Sequence, residues 1–393
     1  MNAQLRTVPL IERRGLIKTL PKTKSRGRIA RKHNVGVPMH DRTARLREQM
    51  LAGGLDAVLV TSPPNIRYLS GFSSEDGTLL ITRENAYLLT DFRYTIQAKD
   101  QTAGLFEVIE LLPRETVTKL QEKLQAEACK RLGFEDAHMS VARRQGLDAL
   151  GVEFISYSNE LAKLRIVKSA TEIQKLQEAQ NIADAAFLEL LQVIRPGMSE
   201  KRVVAELLYI CGRMGSDGPS FDPIVGAGPN GAMPHAVPTE RELAKGDLVV
   251  LDFGCIYAGY CSDMTRTISM GQPSDFQKEI YGIVLEAQIK AFSSLRPGIT
   301  GKELDAVARG HIAAAGYEKN FGHGLGHGFG LQIHEAPTAS INGTDHLLAG
   351  MSVTVEPGIY IEGQFGVRIE DCCVLTETGH RNLVTATKEL IIL

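Results

Sequence analysis

Four acids in this chain fall into two pairs, Asp252 with Asp263 and Glu356 with Glu370, and all but one lie beside apolar runs. Asp252 ends the run LVVL, Glu356 ends SVTV, and Glu370 lies between Ile369 and the run CCVL. Acids normally sit on solvated surface; these sit where strands are buried. The midpoint of Asp252 and Asp263 falls between Tyr257 and Ala258, in the turn-prone IYAG, and that of Glu356 and Glu370 falls on Gly363 in EGQFG. Hairpins centred there make each pair cross-strand neighbours, with Cβ atoms about 4.5–5.5 Å apart. Two like charges at that spacing are destabilising unless positive charge lies between them. Two divalent metal ions about 3.5–4 Å apart supply it, and four carboxylates neutralise two such ions.

A further ligand is expected from FGHGLGHGFGLQIHE (321–335), which offers His323, His327 and His334. His323 and His327 have the i, i+4 spacing of a zinc-binding helix, but the intervening glycines disfavour a helix and no Glu follows the first His. An extended strand or loop is expected instead. Carboxylates with one imidazole make a hard, oxygen-rich site that suits Mn2+, with Co2+ or Zn2+ as alternatives, better than a thiolate zinc site. GAGPNG (226–231) is a literal GxGxxG, yet Pro229, Pro234 and Pro238 exclude the helix a dinucleotide site requires. The useful residue there is His235, in the turn MPHA.

The elements that must position these residues form a weak internal repeat. VIRPGMSEKRV (193–203) recurs as SLRPGITGKEL (294–304), and GDLVVLDFG (246–254) as GMSVTVEPG (350–358). Two similar halves, each with a helical part followed by antiparallel strands, imply a pseudo-twofold with the functional site between them. Upstream, the runs LDAVLVTS, GTLLITR, AYLLTD, LFEVIEL, RLGFED and VEFISY alternate with helical patterns around 41–53, 116–130 and 139–150, which reads as a smaller α/β domain. Ser169 and Glu172, at capping-box spacing, open a long helix, and the charged approach at 158–170 is the expected linker. The chain divides into a leader at 1–38, an N-terminal domain at 39–162 and a catalytic domain at 163–393.

Composition narrows the function classes. With 43% hydrophobic and 23% charged residues the 393-residue chain can bury a large core. It has no apolar run of membrane-spanning length. Six scattered cysteines without a CxxC pair fit a reducing compartment, hence a cytoplasmic location. The net charge of −2 is uneven. Residues 1–40 hold ten Lys or Arg against the single acid Glu12, leaving the remainder with 34 bases, 45 acids and a net charge of −11. That acidic body argues against nucleic acid as a partner. The leader has no apolar segment of a secretory signal and too few periodic apolar residues to dock. It reads first as disordered or as an upstream start, since Met39 directly precedes the first helix, with an Arg-rich transit peptide and then a nucleic-acid arm as the alternatives.

FDPIVGAGPNGAMPHA, LDFGCIYAGYCSDMTRT, GHGLGHGFGLQIHE, TVEPGIY and GVRIEDCCVLT, in this order, resemble the proline-specific pita-bread metallopeptidases, aminopeptidase P and prolidase. PPNIRYLSGF and TDFRY are similar to that family's N-terminal domain, so the resemblance covers nearly all of 41–393. It implies an α+β pita-bread catalytic domain with an internal pseudo-twofold, preceded by a creatinase-like α/β domain. It implies Asp252, Asp263, His327, Glu356 and Glu370 as ligands of two metal ions, with Asp263 and Glu370 bridging. Glu356 would also help activate water; His235, His323 and His334 would contact substrate, and Arg368 would hold a metal-binding carboxylate. The implied activity is removal of an N-terminal residue from a peptide with proline at the second position, an Xaa-Pro aminopeptidase. The Xaa-Pro dipeptidase is the alternative, and a metal-free creatinase-like hydrolase or a non-catalytic binding protein is a more remote one. The implied assembly is a homodimer.

Overall fold

The computed structural model describes residues 10–12 and 39–393, which form two compact units, residues 39–166 and residues 10–12 with 167–393. The smaller unit carries a six-stranded mixed sheet in the order Glu107–Leu111, Ala86–Asp91, Thr78–Thr82, Ala57–Val60, Arg131–Phe134, Glu153–Ser156. Its central strands are buried along their whole length, as their unbroken apolar runs require. Helices Met39–Ala52 and Thr116–Ala126 occur where the periodicity predicts them. The pattern at 139–150 breaks at Gly146 into the short helix Val141–Gln145 and a 3₁₀ turn.

Two expectations need correction. The segment read as a linker folds over Ser158–Ile166 into a helix of the smaller unit, with Leu161 and Leu164 buried, and the division between units falls after Ile166. The leader was expected to dock on nothing, but Leu10–Glu12 pairs in parallel with Leu390–Ile392. The rest of the leader lies outside the described residues.

In the larger unit the repeat is visible bond by bond. Helices α1 (Ala170–Val193) and α2 (Glu200–Arg213) of the first half match α3 (Asp275–Ser294) and α4 (Gly301–Ala314) of the second. Ser169, Ser274 and Thr300 each close a capping box on the residue three positions later. Between the paired helices, Gly197 N donates to Leu243 O and Leu243 N to Met198 O. Gly298 N donates to Leu347 O and Leu347 N to Ile299 O in the same way. Gly246 (φ 89°) and Gly350 (φ 84°) take the same left-handed conformation before the strands β1 (Leu248–Phe253) and β5 (Ser352–Val355). β1 pairs antiparallel with β2 (Met264–Ser269), and β5 with β8 (Asp371–Leu375). Between these lie β3 (Gly326–Gly328), β4 (Glu335–Ala339), β6 (Gly358–Ile361) and β7 (Phe365–Arg368). Phe187, Leu190, Val249, Leu251, Phe329 and Val374 belong to one core that spans both halves.

Candidate metal centre

Register decides where the acids meet. In the second half the β5–β8 and β6–β7 ladders share one register about Gly363 (φ 71°), which sets Glu356 opposite Glu370 as the arithmetic requires. In the first half the hairpin turns one residue later than expected, on Ala258 (φ 49°) and Gly259 (φ 83°). Two positive φ values in a two-residue loop suit the twist of a hairpin. Asp252 therefore faces Thr265, and Asp263 falls opposite Gly254, diagonal to Asp252. The expected direct pairing of Asp252 with Asp263 is corrected to this diagonal one. Gly254 is needed there, since a Cβ would lie 1.9 Å from Ser262 O.

His327 lies on strand β3, opposite Thr338 of β4, as the glycine-rich sequence demands. Its ring Nδ1 donates to Gly328 O at 3.0 Å, so Nε2 carries a lone pair. That atom lies 3.6 Å from Asp263 Oδ2 and 3.5 Å from Glu356 Oε1. The imidazole lone pair therefore faces a carboxyl oxygen of each acid. Ligand atoms of Asp263, His327 and Glu370 all lie within 4.8 Å of one another. Asp252 Oδ1 and Glu370 Oε1 are buried and have no hydrogen-bond donor. Burial, followed by repulsion from neighbouring carboxylates, pushes the carboxyls of Asp263 and Glu370 far above their ordinary range. Burial moves Glu356 up to about 8 and His327 down to about 4. Clustered carboxyl oxygens, two of them without a partner, around a neutral imidazole are what a hard divalent cation would satisfy, so these residues fit a metal centre.

Arg368, on β7, is buried, and its Nη2 donates to Asp252 Oδ2 at 2.5 Å. Its Nη1 donates to Tyr360 OH (2.8 Å) and Pro234 O (3.0 Å), and its Nε to Thr265 Oγ1 (3.1 Å). Tyr360 OH also lies 2.9 Å from His323 Nε2, while His323 Nδ1 bonds Gly324 O at 2.7 Å. Both nitrogens of His323 thus have protein partners, while its ring lines the same cavity as the acids. Burial moves its pKa down to about 4, leaving it neutral at physiological pH. His235 and His334 are exposed and line the same cavity of about 610 Å³ as the acids, with Phe221, Ile224, Val237 and Ile333 as apolar wall. The His334 ring packs edge-on against His327 at 4.5 Å between centroids.

Sequence reasoning missed Tyr360 and Thr265, the hydroxyl groups that tie Arg368 to His323 and to Glu370. Tyr360 was within reach as the last residue of TVEPGIY; nothing distinguishes Thr265 from an ordinary strand threonine. Also unforeseen is a buried ion pair of Lys168 with Glu335, 3.1 Å apart, beside His334.

The sequence profile of metallopeptidase family M24 matches residues 174–377, and that of the creatinase/prolidase N-terminal domain matches residues 42–167. The Xaa-Pro dipeptidase of Pyrococcus horikoshii is 40% identical over 356 residues, 90% of this chain and 99% of that protein. Among solved structures, an Xaa-Pro dipeptidase from Bacillus anthracis is 42% identical with a TM-score of 0.87, over 90% of this chain and all of that one. An X-Pro aminopeptidase from Thermotoga maritima is 39% identical with a TM-score of 0.84 over the same shares. No helix among the described residues is long and apolar enough to cross a membrane.

Proposed function

The chain belongs to metallopeptidase family M24, with a creatinase/prolidase N-terminal domain ahead of a pita-bread peptidase domain, and from that premise we propose that it is an Xaa-Pro dipeptidase. The observation that carries the reading is the convergence of Asp252, Asp263, His327, Glu356 and Glu370, with Asp252 Oδ1 and Glu370 Oε1 bare, on one cavity also lined by His235 and His334. These five would hold two divalent ions, Mn2+ first among the candidates. Bound ions supply Lewis acidity toward the scissile carbonyl and acidify water enough to yield hydroxide near neutrality. Glu356, at the cavity wall, would also help activate water as a proton acceptor. His235 and His334, exposed at the cavity wall, would donate to the developing oxyanion. Arg368 would hold Asp252 in its binding orientation, and His323 would act through Tyr360.

Sequence analysis ranks the aminopeptidase first because no segment obviously closes the cleft to longer peptides. The names carried by similar proteins support the dipeptidase better, while the likeness to the Thermotoga maritima enzyme keeps the aminopeptidase as second reading. A homodimer is part of the proposal, to be checked by light scattering.

The deciding assay follows proline release from an Xaa-Pro dipeptide and Xaa release from an Xaa-Pro-Yaa tripeptide, after chelation and after Mn2+ is restored. The expected result is Mn2+-dependent cleavage of the dipeptide at least about tenfold faster than of the tripeptide, a gap of about 1.4 kcal/mol in transition-state binding. Faster tripeptide cleavage would establish the aminopeptidase. Inactivity on both with metal restored would refute either reading.

A further inference from the structure

Thr265 is fully buried in the middle of a strand, where a valine of the same shape would ordinarily serve. Its hydroxyl has one proton, and its surroundings fix the direction of that proton. Arg368 Nε donates to Thr265 Oγ1 at 3.1 Å, so the oxygen is already an acceptor, and the hydroxyl donates to Glu370 Oε2 at 2.7 Å. The same guanidinium donates through Nη2 to Asp252 Oδ2. One oxygen of Glu370 and one of Asp252 are thereby occupied by donors joined through a single guanidinium. The other oxygen of each, Glu370 Oε1 and Asp252 Oδ1, is buried and bare. The main chain adds to this control: Thr265 is the cross-strand partner of Asp252, and its carbonyl accepts Glu370 N at 3.1 Å.

We propose that Thr265 is a positioning residue of the metal centre, whose hydroxyl fixes the orientation of the Glu370 carboxylate toward a divalent cation and couples it, through Arg368, to the orientation of Asp252. The inference rests on the metal-centre reading given above and adds to it a determinant of metal affinity that is not itself a ligand. A valine would leave Glu370 Oε2 without its donor and Arg368 Nε without its acceptor, and the carboxylate would be free to rotate. Groups that orient a ligand from behind typically change metal affinity about 10–100-fold when removed.

The test compares the full-length chain with Thr265→Val and Thr265→Ser, each stripped by chelation and titrated with Mn2+. Affinity is read by competition with a chelating dye, and the bound ion by electron paramagnetic resonance. Thr265→Val is expected to bind Mn2+ about 10–100-fold more weakly with an altered spectrum, and Thr265→Ser within about threefold of the parent. Parent-like affinity and spectrum in a folded Thr265→Val would overturn the inference and leave the proposed function standing. An equal loss in Thr265→Ser would also overturn it, because the methyl group and not the hydroxyl would then be responsible. Should Thr265→Val not fold, Thr265→Ala removes the same hydroxyl without the added methyl, and the same two outcomes apply. A parent chain that binds no divalent ion would instead remove the metal-centre reading itself.

Discussion

Stripping and restoring metal should move the thermal stability of this protein by a calculable amount. The five candidate ligands bring four carboxyl groups and one neutral imidazole together, and among the described residues Arg368 is the one Lys or Arg lining the cavity. Without a cation, burial first and then the neighbouring carboxylates disfavour the charged forms of Asp263, Glu356 and Glu370. A ligand that binds only the folded state stabilises it by about 2.7 kcal/mol at a hundredfold excess over its Kd and about 4.1 kcal/mol at a thousandfold excess. Domains of roughly 150–250 residues gain about 2–4 °C in Tm per kcal/mol. Mn2+ at about a hundred times its Kd should thus raise Tm by about 5–11 °C, combining the two relations. Scanning calorimetry of the chelated protein across a Mn2+ titration measures this, with His327→Ala as the variant that should lose most of the shift. A Tm constant within about 1 °C at saturating Mn2+, against that expected gain, would refute the reasoning.

Three further outcomes are expected. In the chelated protein the folded state keeps protons on Asp263, Glu356 and Glu370 that the unfolded chain has released. Its stability should therefore fall as pH rises from the ordinary carboxylate range through about 8; urea midpoints at stepwise pH check the sign, and a rise over that window would contradict it. At Gly326 a Cβ would stand 2.0 Å from Thr354 O, so Gly326→Ala should push β3 off β5, cost about 1–3 kcal/mol in urea unfolding and weaken Mn2+ binding through displaced His327. In the smaller unit Glu135 accepts from Ser62 N, Ser62 Oγ and Asn65 Nδ2, at the start of helix Pro63–Ser70. Glu135→Ala should cost about 1–3 kcal/mol and speed amide exchange across residues 61–66, and unchanged exchange there would show that the carboxylate does not hold the helix start.

The candidate site was legible where chemistry contradicts its surroundings. Asp252 and Glu356 end runs of buried apolar residues, and glycines flank His327 on both sides, so the strand and the second-half register could both be read from residue order. The first-half register could not. A turn on Ala258 and Gly259 requires positive φ at an alanine, which the residue type does not advertise. Thr265 and Tyr360 stayed invisible because a β-branched and an aromatic residue are ordinary strand formers. What sets them apart is which buried group their hydroxyls meet. Ser158–Ile166 was misread because Leu161 and Leu164 are too few to outweigh its charged exterior, although two buried leucines suffice to seat a short helix.

The correspondence between the halves has one more consequence, for the equivalence of the two ends of the site. The registers that set Asp252 opposite Thr265 and Glu356 opposite Glu370 make Asp252 the counterpart of Glu356, and Thr265 that of Glu370. They likewise make Asp263 the counterpart of Arg368. The backbone is duplicated, but an anion at one post answers a hydroxyl or a cation at the other. A symmetrical scaffold thus ends in unlike surroundings, one end governed by the guanidinium of Arg368 and the other by the imidazole of His327.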